Sequence, residues 1–181
     1  MHAFPCGTLF LDFVGTLRAR RNAEPTEMLA SPQALDAWFV ESGLMDAAPG
    51  ADDTELATAV SLRESLYSVT AAALAREPLP ADALAEVNQQ ATGLPVQVQL
   101  GEEGTTRTGS VSQGLAALAR EAVQILGGAE AGLLRECSRP ECTQTYLDRS
   151  RGRRREWCAM ETCGNRVKAA AYRARRREQQ A

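Results

Sequence analysis

Histidine is almost absent from this chain, since His2 is the only one among 181 residues. Catalysis by a serine or cysteine nucleophile ordinarily needs a histidine base, and a residue so near a chain end is poorly placed to act as one. The sequence also lacks a glycine-rich loop suited to phosphate, because its nearest candidate, Gly101-Glu102-Glu103-Gly104, is acidic. These absences predict a protein that is not an enzyme.

Long apolar runs are missing as well. No stretch approaches the ~20 apolar residues that a membrane-spanning helix needs. The first ten residues, MHAFPCGTLF, have neither the basic start nor the long apolar core of a secretory signal. We therefore expect no membrane segment and a cytoplasmic location, where thiols stay reduced. Cys6, in an apolar stretch, is expected to be a small buried hydrophobe.

Cysteine is scarce, yet four of the five cysteines form two short-spaced pairs. Four residues separate Cys137 from Cys142 and Cys158 from Cys163, and fifteen residues lie between the pairs. Two such pairs bring four thiolates together at a small cost in chain entropy, and four thiolates are a donor set for tetrahedral Zn²⁺. Two disulfides or four buried thiols fit a reducing compartment or this spacing less well. We predict one structural zinc ion, because four thiolates leave no open position for a reactive water.

The net charge of -3 conceals an uneven distribution. Residues 1–134 carry 7 basic and 17 acidic side chains, a net charge of -10, whereas residues 135–181 carry 13 and 6, a net charge of +7. A basic segment of this density favours a polyanionic partner. The two parts of the chain are therefore expected to do different things.

The acidic part, residues 1–132, has the apolar spacing of helices. Apolar side chains recur at three to four residues, the period of one helical face. Ser31 before Pro32 is typical of an N-cap and a first helical residue, and Gly43 is typical of a helix end. The expected helices span about 8–20, 32–42, 54–77, 81–90 and 112–126. Their expected core side chains include Phe10, Phe13, Val14, Leu17, Ala34, Leu35, Trp38, Phe39, Leu56, Val60, Leu66, Tyr67, Leu74, Leu84, Val87, Leu115, Leu118, Ala122 and Leu126.

One segment of this part is expected to form strands. Residues 95–100 alternate between apolar and polar side chains, and a Gly-Glu-Glu-Gly turn and a threonine-rich stretch follow. This pattern predicts a small hairpin. A glycine-rich linker or turn is expected at 127–132, before the zinc module. The predicted fold is thus mainly α-helical with a small β-hairpin and a C-terminal zinc finger.

The zinc module, residues 133–181, is expected to contain a knuckle, a hairpin and a helix. Cys137 and Cys142 would form the knuckle, and Cys163 falls at the start of the last helix, whose free N–H groups stabilise a thiolate. Gly164, which has no Cβ, is expected to let the backbone approach that sulfur. The predicted shape is treble-clef-like or ribbon-like. Its expected segments are a strand at 145–147, a turn at 150–153 and a second strand at 156–158.

The last helix is basic over most of its circumference. At 100° per residue, Arg166, Arg173 and Arg177 share one face. A narrow apolar stripe is expected to pack on the hairpin, and it consists of Val167, Ala171 and Ala174. A helix of this kind suits a polyanion such as duplex DNA. The predicted DNA contacts are Arg153, Arg154, Arg155, Arg166, Lys168, Arg173, Arg176 and Arg177.

The basic face could also have a role that involves no DNA. Zinc with four thiolates carries a net charge of -2, so some arginines could compensate the site and others could be solvated. The face could also dock on an acidic partner protein, including the acidic part of this chain in a closed state. RNA binding is a third alternative.

Two stretches of the chain resemble known families. Residues 147–168 contain Leu147-Asp148-x-Ser150 and Trp157-Cys158-x-Met160-x-x-Cys163-Gly164-Asn165-Arg166-x-Lys168, and they resemble the CGNR zinc finger. The N-terminal part is similar to the ABATE domain, through Gly7-x-Leu9-x-Leu11-Asp12-Phe13-Val14-x-Thr16-Leu17, Leu29-x-x-Pro32-x-x-Leu35-x-x-Trp38 and Gly43-Leu44. Gly15 departs from this pattern, because that family commonly has asparagine at its position.

The resemblance implies a bacterial transcription regulator of the stress-induced type. It implies that the N-terminal domain senses a small-molecule effector and that the finger binds DNA. It also implies the same four cysteines as zinc ligands. A ligand pocket could be lined by aromatic side chains that helical spacing otherwise assigns to the core, namely Phe10, Phe13, Trp38, Phe39 and Tyr67.

Overall fold

The computed structural model describes residues 2–102 and 104–178. Within them the chain is mainly helical, as predicted. The α-helices are α1 Leu9–Val14, α2 Pro32–Glu41, α3 Asp53–Ala75, α4 Ala81–Ala91, α5 Val111–Leu126 and α6 Asn165–Glu178. The strands form three separate antiparallel pairs, β1 Leu17–Arg18 with β2 Thr26–Glu27, β3 Gln97–Gly101 with β4 Gly104–Thr108, and β5 Leu134–Glu136 with β6 Thr145–Leu147. None of the described helices is long and apolar enough to cross a membrane.

Side-chain caps fix where several helices begin. The Ser31 hydroxyl accepts a hydrogen bond from the backbone N–H of Ala34 at 3.3 Å, which confirms the predicted N-cap of α2. Asp52 and Glu55 form a reciprocal capping box at the start of α3. Such caps satisfy backbone N–H groups that a helix end leaves unpaired, and each contributes about 1 kcal/mol.

Helices α1 to α5 enclose an aromatic core. The Trp38 ring is fully buried, and it lies 5.0 Å from the Phe13 ring and 5.7 Å from the Phe39 ring between centroids. Of the expected core residues, Leu84 is wrong, because it is 36% exposed. The buried face of α4 carries Ala83 instead, together with the predicted Val87.

The first helix is shorter than the predicted span of 8–20. It ends at Val14, and β1, which pairs with β2, lies where the sequence pattern indicated helix. Arg63 on α3 explains the difference, because its buried guanidinium donates to both carboxylate oxygens of Glu27, at 2.6 and 2.7 Å. A buried arginine is tolerated only when paired, so this contact fixes Glu27 and the strand pair that contains it.

The zinc module also departs from expectation. Residues 156–158 do not form the predicted second strand, and the hairpin instead pairs β5 with β6, on either side of the first cysteine pair. The backbone near 156 is used elsewhere, because the Glu156 carbonyl accepts from the N–H of Ser138 at 2.9 Å. The expected linker at 127–132 is largely a 3₁₀ helix, Ala129–Leu133.

The two predicted parts of the chain share one hydrophobic core. Cys6 is fully buried, as expected, and it lies in the same cluster as Leu134, Tyr146 and Leu147. The backbone N–H of Leu147 donates to the carbonyl of Cys6 at 2.9 Å. The N-terminal segment therefore packs directly on the zinc module. The domain boundary between 132 and 133 stays a prediction.

Candidate metal centre and nucleic-acid interface

Cys137, Cys142, Cys158 and Cys163 come together in one cluster. All four Sγ atoms lie within 4.8 Å of one another, and the Sγ atom of Cys158 is 3.8 Å from that of Cys142 and 3.6 Å from that of Cys163. Zinc bound tetrahedrally at about 2.3 Å from each sulfur would require sulfur pairs about 3.8 Å apart. The cluster therefore fits one structural zinc ion held by four thiolates.

Local structure delivers three of the four sulfurs, those of Cys137, Cys142 and Cys163, to this cluster. Cys137 follows β5, and its backbone N–H donates to the Gln144 carbonyl at 3.0 Å. The N–H of Cys142 donates to the Arg139 carbonyl at 2.9 Å, which closes the predicted knuckle. Cys163 lies in a π-helical turn, Met160–Gly164, that leads directly into α6. The ligands thus sit on short, hydrogen-bonded turns.

The surroundings favour a thiolate at Cys142, whereas burial raises the pKa of Cys137 and the hydrogen bond to Cys142 raises the pKa of Cys158. A hydrogen bond from Cys158, helped by the backbone N–H of Gln144, lowers the pKa of Cys142 to about 5. The Arg139 guanidinium lies 3.9 Å from the Cys163 sulfur, and this contact raises the pKa of Arg139. Arg139 also pairs with Glu141 at 2.9 Å. At least one arginine therefore compensates the negative charge of the metal site.

The function of Asp148 was not foreseen from the sequence. Its carboxylate is buried and accepts hydrogen bonds from the Ser150 hydroxyl at 2.5 Å, the Ser150 N–H at 3.0 Å and the Arg155 N–H at 3.1 Å. The Ser150 contacts lower the pKa of Asp148. Asp148 thus holds the turn that carries the basic run. The Asp-x-Ser spacing could have indicated this role, because an aspartate side chain commonly accepts from the backbone two residues further on.

Gly164 leaves room for two neighbouring side chains, and the expected approach of its backbone to the Cys163 sulfur stays a prediction. A Cβ on this residue would lie 2.5 Å from Sδ of Met160 and 3.0 Å from Cδ1 of Trp157. The space that the glycine leaves open is therefore filled by these two side chains. They close the turn between Cys158 and Cys163.

Arg155 lies apart from the other predicted DNA contacts. It is half-buried, and its guanidinium donates to the carbonyls of Trp157 at 2.8 Å, of Pro5 at 2.7 Å and of Cys158. The same group lies over the Tyr146 ring, 4.3 Å from its centroid. The guanidinium is thus directed inward, and Arg155 joins the N-terminal segment to the zinc module.

Helix α6 extends away from the body of the protein. Between 165 and 177 every side chain is exposed except half-buried Val167. The expected packing of the apolar stripe on the hairpin is therefore wrong for Ala171 and Ala174. Their small side chains bury too little area to hold a helix against a surface. Among the described residues, 165–177 of this helix are also not docked on the acidic part of the chain.

The remaining predicted DNA contacts form an open basic surface. Their side chains are exposed, and none has a hydrogen bond or ion pair with another described residue. The "basic surface" comprises Arg153, Arg154, Arg166, Lys168, Arg173, Arg176 and Arg177. Five of these residues lie on α6, and Arg153 and Arg154 lie at an earlier turn of the zinc module, near 150–154.

A cleft of about 700 Å³ separates the N-terminal part from the metal centre. Its walls include Phe4 and Arg18 from one side and Cys142, Cys163 and Arg166 from the other. The proposed aromatic pocket is not formed by Phe10, Phe13, Trp38 and Phe39, which are fully buried against their neighbours. Tyr67 lines a separate cavity of about 430 Å³ and stacks under the Arg20 guanidinium.

Comparison with known families agrees with both resemblances. The family described as "Putative stress-induced transcription regulator", ABATE, matches residues 7–129, and the CGNR zinc finger matches residues 134–176. Neither is an enzyme family. No curated protein matches the chain. The ABATE match covers more than half of the chain, and the protein therefore belongs to the ABATE family and carries a CGNR zinc finger after the ABATE region.

Proposed function

We propose that this protein is a transcription regulator that binds duplex DNA through the basic surface of its zinc finger. The main support for the proposal is that the cations of this surface are exposed and have no partner among the described residues. Cations that compensate the metal site would lie against it, as Arg139 does. An unpaired group of cations on a projecting helix is suited to phosphates.

The residues of the basic surface have different expected roles. Arg173, Arg176 and Arg177 lie in the outer half of α6 and would contact phosphates. Arg166 lies in the first turn of α6, the end that enters the major groove in many DNA-binding folds. Its guanidinium has no hydrogen bond within the described part of the zinc module, so it is free to pair with guanine.

The proposed activity is binding rather than catalysis. A zinc ion with four thiolates has no open coordination position. His2, the only histidine of the sequence, contacts the Glu41 carboxylate. Reduced thiolate ligands and a DNA partner are both compatible with a protein that acts in the cytoplasm of a bacterium.

We also propose the cleft beside the metal centre as the effector site. Arg18 and Arg166 both line it, and neither guanidinium has another partner among the described residues. A small molecule with a carboxylate or phosphate would suit both. Because Arg166 is also the proposed base reader, such a ligand would compete for it and weaken sequence-specific binding. A melting-temperature screen of small anions, with Arg18→Gln as the control that removes stabilisation, tests this second proposal.

Salt-dependent binding tests the main proposal. Each arginine that neutralises a phosphate releases condensed counterions, so log affinity for duplex DNA should fall linearly with log salt concentration. Replacing Arg173 and Arg177 by alanine should weaken binding to every sequence and reduce the slope by about two. The control double variant, Arg76→Asn with Arg107→Gln, removes the same charge from exposed positions of the N-terminal part outside the cleft and should leave the slope unchanged.

The competing functions give other results in the same titration. Equal affinity for single-stranded RNA of the same charge would favour RNA binding. An unchanged affinity and slope in the Arg173 and Arg177 double variant would contradict DNA binding by this surface. Retained binding of that surface to an acidic protein would then favour the interaction module.

A further inference from the structure

The β3–β4 hairpin projects from the protein with little cover. Every residue of both strands is exposed, and Val98 and Leu100 are 62% and 89% exposed. A two-stranded sheet without a packed face is only marginally stable in water. The hairpin therefore presents apolar side chains that the described part of the chain leaves open.

At Arg107 the outer edge of β4 is covered by Asp46. The backbone N–H of Arg107 donates to the Asp46 carboxylate at 2.5 Å, and its carbonyl accepts from the Asp46 N–H at 2.9 Å. Both backbone groups of Arg107 thus point away from β3. Arg107 and its cross-strand partner Val98 are therefore a non-hydrogen-bonded pair of the antiparallel ladder.

The outer edge of β3 is open. Pair types alternate along an antiparallel ladder, so Leu100, opposite Thr105, is also in a non-hydrogen-bonded pair. The N–H and C=O groups of Val98 and Leu100 consequently point outward. Within 2–102 and 104–178 these groups make no hydrogen bond outside the ladder. The strand also lacks the charged side chains and prolines that commonly protect an exposed edge.

We propose that β3 pairs with β3 of a second copy of this chain, across a twofold axis at Gln99, to form a four-stranded antiparallel sheet. In this register Val98 of one copy lies opposite Leu100 of the other. The outward N–H and C=O groups of each such pair then exchange both backbone hydrogen bonds. A twofold arrangement repeats the pairing on each side of the axis, so the interface is closed.

The side chains of β3 favour its own copy over an unrelated strand. Residues that lie directly opposite point to the same face of a sheet, so Val98 and Leu100 of both copies form one apolar cluster. Gln99 lies opposite its own counterpart, and an amide can both donate to and accept from another amide. Glu102 would lie opposite residue 96 of the second copy rather than opposite another carboxylate.

A cysteine placed on the proposed axis tests the register. Opposed Cα atoms in a non-hydrogen-bonded pair are about 4.5 Å apart, which lies within the range of a disulfide. With oxidised glutathione, two Gln99→Cys thiols should form one disulfide and release two reduced glutathione molecules. Thr106→Cys is the matched control, because Thr106 is the cross-strand neighbour of Gln99 and is equally exposed, but lies on the covered strand. Zinc content is measured throughout, so that oxidation of the metal ligands is detected.

A proline at the open edge tests the hydrogen bonding without a cross-link. Val98→Pro removes an outward N–H and leaves the ladder within the hairpin intact. Thr105→Pro removes the corresponding outward N–H from β4. In sedimentation equilibrium, the wild type and Thr105→Pro should dimerise as concentration rises, whereas Val98→Pro should remain monomeric.

Three results would overturn the proposal. They are a wild type that stays monomeric at every concentration, a dimer that survives Val98→Pro, and cross-linking of Thr106→Cys as readily as Gln99→Cys. None of these measurements involves DNA, so the outcome is independent of the proposed DNA binding.

Discussion

Gln144 of the zinc module fills the space left by the missing side chain of Gly15. A Cβ on Gly15 would lie 1.8 Å from Nε2 of Gln144 and 2.7 Å from its Cδ. The same Nε2 donates to the Cys6 sulfur at 3.0 Å. Gly15 has ordinary helical backbone angles, with φ at -71°, so its conformation does not require glycine. The contact with Gln144 is what excludes a side chain, and it joins the finger to the N-terminal part.

A side chain at position 15 should therefore lower the stability of the fold only while Gln144 occupies the same space. We expect Gly15→Asn, which introduces the residue common in the ABATE family, to lower the free energy of unfolding by about 1–3 kcal/mol. The double variant Gly15→Asn, Gln144→Ala should recover much of that loss. Urea unfolding of both single variants and the double variant measures the coupling. Strictly additive effects would show that Gln144 simply moves aside.

Loss of zinc should affect more than the finger. Cys158→Ser is expected to abolish zinc binding and to unfold the zinc module, because metal binding supplies much of the folding energy of such a site. Since Tyr146 and Leu147 share a core with Cys6, the melting temperature of the helical part should fall as well. Elemental analysis and thermal melting check both effects. Cys6→Ala is the control and should keep one zinc ion per chain.

Substitutions at two neighbouring arginines, Arg155 and Arg154, should have different effects, one on stability and the other on DNA binding. Arg155→Ala would leave the carbonyls of Pro5 and Trp157 without a donor, so we expect a loss of about 3 kcal/mol in unfolding free energy. Arg154→Ala removes an exposed side chain and should change stability by less than about 0.5 kcal/mol. Its effect should instead be a weaker affinity for duplex DNA. The reverse pattern would show that Arg155 acts on DNA directly.

The buried carboxyl of Asp12 should make stability depend on pH. Burial raises the pKa of Asp12 to about 6, although the N–H of Cys6 donates to its carboxylate at 2.9 Å. A folded-state pKa above the unfolded value means that the fold favours the protonated form. The resulting stabilisation is present below about pH 4 and is lost as pH rises through about 6. Burial also raises the pKa of Glu121, and its effect has the same sign.

Asp12→Asn should remove this dependence. An asparagine oxygen can still accept from Cys6, and it carries no charge to desolvate. Relative to wild type, the variant should gain about 2 kcal/mol between pH 4 and pH 7.5. Unfolding curves of both proteins across that range measure the difference in unfolding free energy. Effects of pH on the zinc ligands are the same in both proteins, so they cancel in this difference. Glu24→Gln, at an exposed position, is the control for losing one acidic charge and should track the wild type.

Local patterns in the sequence were enough to predict the metal site and most of the helices. Paired cysteine spacing is a local property, and it identified all four clustered sulfurs because short turns can deliver ligands with little help from the rest of the chain. Helical periodicity and capping residues are also local, so the starts of α2 and α5 could be predicted within one or two residues. The exposed state of α6 followed in part from its many arginines.

Contacts between distant segments could be seen only in the folded molecule. Each of these contacts joins residues that are far apart in the sequence and that no local pattern relates. They are the hydrogen bonds from Arg63 to Glu27 and from Arg155 to Pro5, and the packing of Gln144 against Gly15. As a result, α1 is shorter than expected and residues 156–158 form no strand. Arg155, unlike the neighbouring Arg153 and Arg154, is directed inward. The physical reason is that a buried charge or amide must find a partner wherever the fold provides one.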